Sequence, residues 1–172
     1  QLHHKKTHSN RAGFLLYRYI CFMKTDYLNL YSNLNEFEQI VIQSTKDWVK
    51  KYVSPKIEKS FISGVPLSLK NELAELGAFG SIFPEKYGGL DFSFIAFGLM
   101  MKELEKGDSS VRVASSIQTS LVMNAIFSYG SEDQKEKYLP DLANGTIVGS
   151  FAMSEPSHGS DISNLKTKFK IV

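Results

Sequence analysis

Two groups of residues in this chain combine types and spacings that suit chemistry. The first is the run Phe151-Ala152-Met153-Ser154-Glu155-Pro156-Ser157-His158-Gly159-Ser160-Asp161. Its apolar start opens onto hydroxyls, two acids and a Gly/Ser turn. Ser154, Gly159 and Ser160 can therefore offer backbone N–H groups and hydroxyls to an anionic or carbonyl-rich ligand beside an apolar wall. Most such turns bind nothing, and Glu155 and Asp161 suit bracing of the loop better than acid–base work. His158 is expected to be exposed turn material. The second group is Arg112 with Ser116. On a helix, residues four apart share a face, which brings a planar cationic fork and a hydroxyl to one point, a layout suited to a carboxylate. The alternative for Arg112 is an ion pair with Glu105 or Asp108. A cation at a helix N-terminus is disfavoured by the dipole, so an anionic partner is expected either way.

Both groups depend on the elements that carry them. Between Val113 and Ser131 nothing is charged, and Ala114, Ile117, Leu121, Val122, Ala125 and Ile126 recur nearly all round, so this helix is expected to be buried. Ser115, Thr119 and Ser120 read as small polar residues that permit close helix packing. Upstream, Asn35 with Glu38 starts a helix in which Phe37, Ile40, Val41, Trp48, Val49 and Tyr52 share one face, and Pro55 closes it. A shorter helix over Ser68 to Leu76 stops at Gly77, and Pro84 to Gly89 is a loop. Ser93 to Lys106 is helical, with Phe94, Phe97, Met101 and Leu104 inward and its methionines as core filler. Ser131 with Gln134 makes a capping box for a helix that Pro140 ends, and Asn144-Gly145 is a turn. Ile147 to Met153 and Leu165 to Ile171 alternate as two strands. Helices followed by strands indicate an α+β chain whose sheet has barely begun, since little sequence follows Asp161.

Composition narrows the function classes. At 42% hydrophobic and 22% charged residues, the chain has enough apolar sequence for a soluble core. Its single cysteine, Cys21, excludes an internal disulfide framework and a cysteine-based zinc site, and points to a reducing compartment. Residues 1–24 hold Lys5, Lys6, Arg11, Arg18 and Lys24 without an acid, so that leader carries +5 of a net +2 and the remainder is −3. No basic face is left to footprint nucleic acid. The leader is either an organelle presequence or adventitious, since Met23 opens what looks like an ordinary start. Localisation follows accordingly: mitochondrial matrix in the first case, cytoplasmic in the second. Its apolar run is broken by Arg18 and is too short to span a membrane. The histidines, His3, His4, His8 and His158, form no metal-ligand spacing, and no nucleophile elbow, P-loop or dinucleotide fingerprint is present.

Ala152-Met153-Ser154-Glu155-Pro156 followed by Gly159-Ser160-Asp161 resembles the flavin-loop signature of the acyl-CoA dehydrogenase family. Upstream, Leu76-Gly77-Ala78-Phe79-Gly80, Pro84 to Gly89, Glu103-Leu104-Glu105, Tyr129-Gly130-Ser131-Glu132 with Gln134, and Lys137-Tyr138-Leu139-Pro140 are similar to family landmarks, so the likeness runs from Asn35 to Val172. It implies three parts: the leader at 1–24, an all-α N-terminal helical bundle over 25–145, and over 146–172 the truncated start of a β-barrel-like middle domain. The resemblance implies FAD as cofactor. Phe151 to Ser160, Ala152 and Glu155 included, are expected to line it: Phe151 against the isoalloxazine, Met153 and Ser154 at the flavin edge, and Gly159 and Ser160 near the phosphates, with Ser160 also touching the CoA of the substrate.

Within the family the likeness is closest to the glutaryl-CoA dehydrogenase subfamily, through Glu103-Leu104-Glu105, Asp108-Ser109, Arg112, Ser116 with Gln118, and Ser120-Leu121-Val122-Met123. There an arginine and a serine at the positions of Arg112 and Ser116 bind the distal carboxylate, with a glutamate at Glu105 nearby; Val113 occupies the place of a second serine. His158 and Asn164 depart from the small residues usual at their positions. The implied reaction is α-proton removal by a carboxylate with hydride transfer to the flavin, then loss of CO2 to give crotonyl-CoA. The family's catalytic base has no counterpart in this chain, so none is assigned and the chain alone is expected to be inactive. Expected partners are an acyl-CoA, glutaryl-CoA first, and an electron-transfer flavoprotein, within a homotetramer. Two other outcomes stay open: a dehydrogenase or oxidase of another acyl chain, and a non-enzymatic helical product.

Overall fold

The structure is a computed structural model that describes residues 29–57 and 69–170. The basic leader, Ser68 and Ile171, the last residue of the second expected strand, lie outside the described residues. The chain divides into two units, residues 1–35 and 36–172. The described part of the first is a 3₁₀ turn, Leu30–Asn33, entered through Asn29 in the left-handed region at φ 52°.

The second unit is a set of packed helices. Helix α1, Glu36–Trp48, passes into a wide π turn, Val49–Val53, and a 3₁₀ turn, Ser54–Lys56, so helical winding runs through Pro55. Helix α2 is Leu69–Glu75, ended by Gly77 at φ 77°. A 3₁₀ turn at Glu85–Tyr87 precedes α3, Phe94–Gly107, whose first turn is capped by the Ser93 hydroxyl accepting from Ala96 N at 3.1 Å. Then α4, Ser109–Ser116, the π segment Ile117–Met123 and α5, Asn124–Tyr129, follow one another without a break as a single rod. Asp108 caps its start, accepting from Ser110 N at 2.7 Å. Helix α6, Glu132–Ala143, carries the expected reciprocal cap between Ser131 and Gln134.

Helix α3 packs between α1 and α4. Val41, Trp48, Val53, Leu69, Leu73, Phe79, Met100, Leu104 and Val111 form one core, and Phe83, Tyr87, Met123, Leu139 and Leu142 form a second. Met100 is buried and Met101 packs against the first core, so the methionines are filler as expected.

Several expectations are corrected. In α1 the buried face is turned away from Phe37 and Ile40, which are 47% and 54% exposed, toward Glu38 and Thr45. Thr45 is tolerated there because its hydroxyl donates to Val41 O at 2.7 Å, and Phe37 instead meets Phe92 edge-on. In α3, Phe94 is exposed and Ala96, Met100 and Leu104 face inward. The charge-free rod is not buried all round: Val113 and Leu121 are exposed, while Ser115, Gln118 and Thr119 are buried. Helix α6 continues three residues past Pro140. Proline forfeits one intrahelical hydrogen bond, and burial of Leu139, Leu142 and Ala143 offsets the loss. The α+β expectation is met only in its helical half. Among the described residues there is no strand, only an isolated bridge between Glu155 and His158. Alternation qualifies a segment for a sheet, but a strand exists only with a partner to receive its N–H and C=O groups.

Candidate functional site

The rod is seated by polar contacts. Ser115 Oγ donates to Ala78 O at 2.6 Å, Thr119 Oγ1 donates to the same carbonyl at 3.2 Å, and Gly80 N donates back to Thr119 Oγ1 at 3.1 Å. These bonds fix the turn after α2 against the rod and explain why small hydroxyl residues occupy its inner face.

With that face seated, Arg112 and Ser116 are only partly buried. Arg112 Nε donates to Glu105 Oε2 at 2.6 Å, and Arg112 Nη1 lies 3.4 Å from Ser116 Oγ. The expected ion pair with Glu105 and the shared helix face with Ser116 are thus both present. Asp108, the other acid considered, is committed to its cap. Ser109 Oγ donates to Glu105 at 2.6 Å; that bond first, and the Arg112 guanidinium second, hold the Glu105 carboxyl below the usual carboxylate range. Among the described residues nothing engages Nη2 of Arg112, so a donor edge is left for an anion. Val113 is exposed beside the pair.

Next along the rod, Ala114, Ile117, Gln118 and Leu121 form one wall of a cavity of about 410 Å³, closed by Leu69, Leu73 and Phe79 on one side and by Val148 to Phe151 on the other. The polar cluster and the apolar cavity are carried by the same rod, but neither Arg112 nor Ser116 is among the residues that line the cavity. The cavity walls from α2 and Phe79 have no signal in the sequence beyond core-like residues. The seating roles of Gln118 and Gly149 were also missed, although a glutamine in the middle of a charge-free helix is a legible oddity.

The loop beyond Phe151 divides into bracing and free parts. Glu155 accepts from Lys166 N at 2.9 Å, from Thr167 N at 2.6 Å and from the Thr167 hydroxyl, which holds its carboxyl below the ordinary range, the hydroxyl contributing most. Asp161 accepts from Asn164 Nδ2 at 2.7 Å. Both acids brace, as expected. His158 corrects its expectation: its side chain is 16% exposed, and Nδ1 lies 3.9 Å from Glu155 Oε2 without a hydrogen bond. Phe151 and Met153 are half exposed, and Ala152, Ser154, Gly159 and Ser160 are exposed. The backbone N–H groups of Met153, Ser154, Gly159 and Ser160 make no hydrogen bond among the described residues. A side chain at Gly159 would meet open space. Apolar faces beside free donors fit a flavin with its phosphates. The loop and the Arg112 cluster lie on different elements, and no hydrogen bond joins them among the described residues.

Comparison with known proteins bears directly on this arrangement. The acyl-CoA dehydrogenase N-terminal domain matches residues 35–146. The chain belongs to the acyl-CoA dehydrogenase family. Among curated relatives, a mitochondrial isovaleryl-CoA dehydrogenase from Bos taurus is 32% identical over 140 residues, covering 80% of this chain and 33% of the relative. A glutaryl-CoA dehydrogenase from Mycobacterium smegmatis, solved in complex with FADH2, superposes with a TM-score of 0.78 at 34% identity, covering 81% of this chain and 36% of that one. Butyryl-CoA dehydrogenase from Megasphaera elsdenii gives a TM-score of 0.72 at 34% identity, covering 78% and 36%. The chain thus spans about a third of the length of the acyl-CoA dehydrogenases it matches. Among the described residues no helix is long and apolar enough to cross a membrane.

Proposed function

We propose that this chain forms the N-terminal part of a FAD-dependent acyl-CoA dehydrogenase acting on a dicarboxylyl thioester, glutaryl-CoA foremost. The observation that carries the substrate assignment is the partly exposed Arg112 fork with Ser116 beside it, two groups that can both donate to a carboxylate. The distal carboxylate of the acyl chain would accept from Arg112 and from Ser116. Phe151 and Met153 would cover the flavin, with the N–H groups of Ser154, Gly159 and Ser160 toward its polar edge and phosphates. When bound, FAD supplies the hydride acceptor for oxidation to the enoyl thioester, and decarboxylation to crotonyl-CoA follows for the glutaryl substrate. The proton-abstracting carboxylate, the β-barrel-like middle domain, the homotetramer and the docking of an electron-transfer flavoprotein belong, on this proposal, to parts of the enzyme outside the chain described. If the leader is a presequence, the enzyme works in the mitochondrial matrix.

A second reading rests on the 2.6 Å contact of Arg112 with Glu105. In that case Arg112 is a structural ion pair, and the substrate is an unbranched or branched acyl-CoA. Arg112→Ala in the intact enzyme separates the two. Loss of glutaryl-CoA turnover by roughly tenfold or more in kcat/KM, the scale of a charged hydrogen bond, with butyryl-CoA turnover retained, supports the dicarboxylyl substrate. Equal losses on both substrates sink it.

A further inference from the structure

Gln118 is buried at 2% exposure, and its three side-chain hydrogen bonds all go to backbone groups. Its Nε2 donates to Leu142 O at 2.9 Å and to Ile147 O at 3.0 Å, and its Oε1 accepts from Gly149 N at 2.9 Å. One carboxamide therefore ties the last turn of α6 and the segment leaving it to the middle of the rod. The same segment is pinned sterically, because a Cβ on Gly149 would come within 2.4 Å of Val122 Cγ1. No sheet ladder holds residues 147–151 among the described residues, so the place of Val148 and Phe151 along the cavity rests on this amide and this glycine, helped by Ile147 N donating to Asp141 O at 3.1 Å.

We infer that Gln118 is a positioning residue. It sets where the wall Val148 to Phe151 stands over the acyl cavity, and through that wall it sets the distance between the flavin-facing loop and the Arg112–Ser116 pair. The structural half stands on the geometry above; the functional half rests on the proposed flavin role of the loop. A carboxamide suits the task because it carries two donors and an acceptor on one rigid plane, and a hydroxyl or a hydrocarbon cannot satisfy two carbonyls and an N–H together.

The test is amide hydrogen exchange of the full chain. In Gln118→Met, which keeps length without hydrogen bonds, the protection of the Gly149 amide falls by about tenfold, the factor that one ordinary net hydrogen bond supplies. The amides of Met100 and Leu104 in α3 stay protected. In Gln118→Glu, the carboxylate can still accept from Gly149 N but sets acceptor oxygens against the carbonyls of Leu142 and Ile147, which pushes the segment off the rod and lowers protection at Gly149 near neutral pH; acidification restores a donor and with it the protection. Unchanged protection in both variants, or an equal fall at Gly149 and throughout α3, overturns the inference. If Gln118→Met does not fold, the acidification series of Gln118→Glu decides, and failure of both to fold counts against a local role. In the intact enzyme, Gln118→Met is expected to weaken FAD binding several-fold. A wild-type enzyme that binds no FAD overturns the flavin role of the loop, while the exchange result, which needs no cofactor, stands or falls by itself.

Discussion

Arg112 and Glu105 sit two turns apart across the junction of α3 and α4, with Nε and Oε2 separated by 2.6 Å. The acid that orients the arginine is therefore also a competitor for it. Glu105→Gln keeps the oxygen acceptor but removes the charge, and is expected to tighten binding of a dicarboxylyl-CoA by a few-fold, about what so exposed a pair is worth. Butyryl-CoA affinity should stay unchanged, and titration calorimetry with both thioesters on the intact enzyme checks this. Because the Ser109 hydroxyl and then Arg112 hold the Glu105 carboxyl below its ordinary range, the competition persists through mildly acid pH and relaxes only as pH falls through the lowered value.

Glu132 gives a pH dependence that can be read without substrate. Lys135 Nζ at 2.8 Å and the Tyr87 hydroxyl at 2.7 Å hold its carboxyl down to about 2, with Lys86 more distant at 3.6 Å. A carboxylate whose folded pKa is depressed stabilises the fold above its unfolded value near 4.5 and loses that contribution as pH falls toward the folded value. Between pH 4.5 and 2 the urea midpoint should therefore drop less in Glu132→Gln than in wild type. Parallel titrations of the two proteins would refute the assignment.

The hydroxyl pair that seats the rod can be probed by Thr119→Val. Valine keeps the shape of the side chain but leaves Gly80 N without its partner, and Ala78 O keeps only Ser115. Chemical denaturation should show a loss of about 1–3 kcal/mol, the cost of an unsatisfied buried donor. The exposed neighbour Ser120→Ala is expected to change stability by less than about 0.5 kcal/mol.

Gly149→Ala forces a methyl against Val122 and is expected to cost about 1–3 kcal/mol, as overpacking does. Val122→Ala in the same chain should return most of that loss, because the nearest obstructing atoms are the Val122 methyls. A double variant no better than the single one would show that the clash is not what makes glycine necessary.

How much was legible in the sequence follows from the range of the forces involved. Caps and turns are local, so Ser93, Ser131 with Gln134, Gly77 and Gly145 are readable from neighbouring residues alone. The Arg112, Glu105 and Ser116 cluster was legible for the same reason, since all three lie within a short span of helix. Helix faces were less so. A chain as rich in apolar residues as α1 or α3 offers two overlapping stripes, and tertiary contacts choose between them. The buried polar face of the rod was hidden because its partners, Ala78 O, Gly80 N, Leu142 O and Gly149 N, are backbone groups far along the chain. Backbone carries no residue-type signal. The two expected strands failed for a related reason, as alternation says nothing about the neighbour that a strand requires.

The rod presents Ser115 and Thr119 to the rest of the fold and Arg112, Val113, Ser116 and Leu121 outward or toward the cavity. Apart from Gln118, which does both, the rod's attaching residues differ from those it leaves exposed or facing the cavity. Under the proposed function, substitutions at Val113, Ser116 or Leu121 would change what the rod presents without altering how it is held.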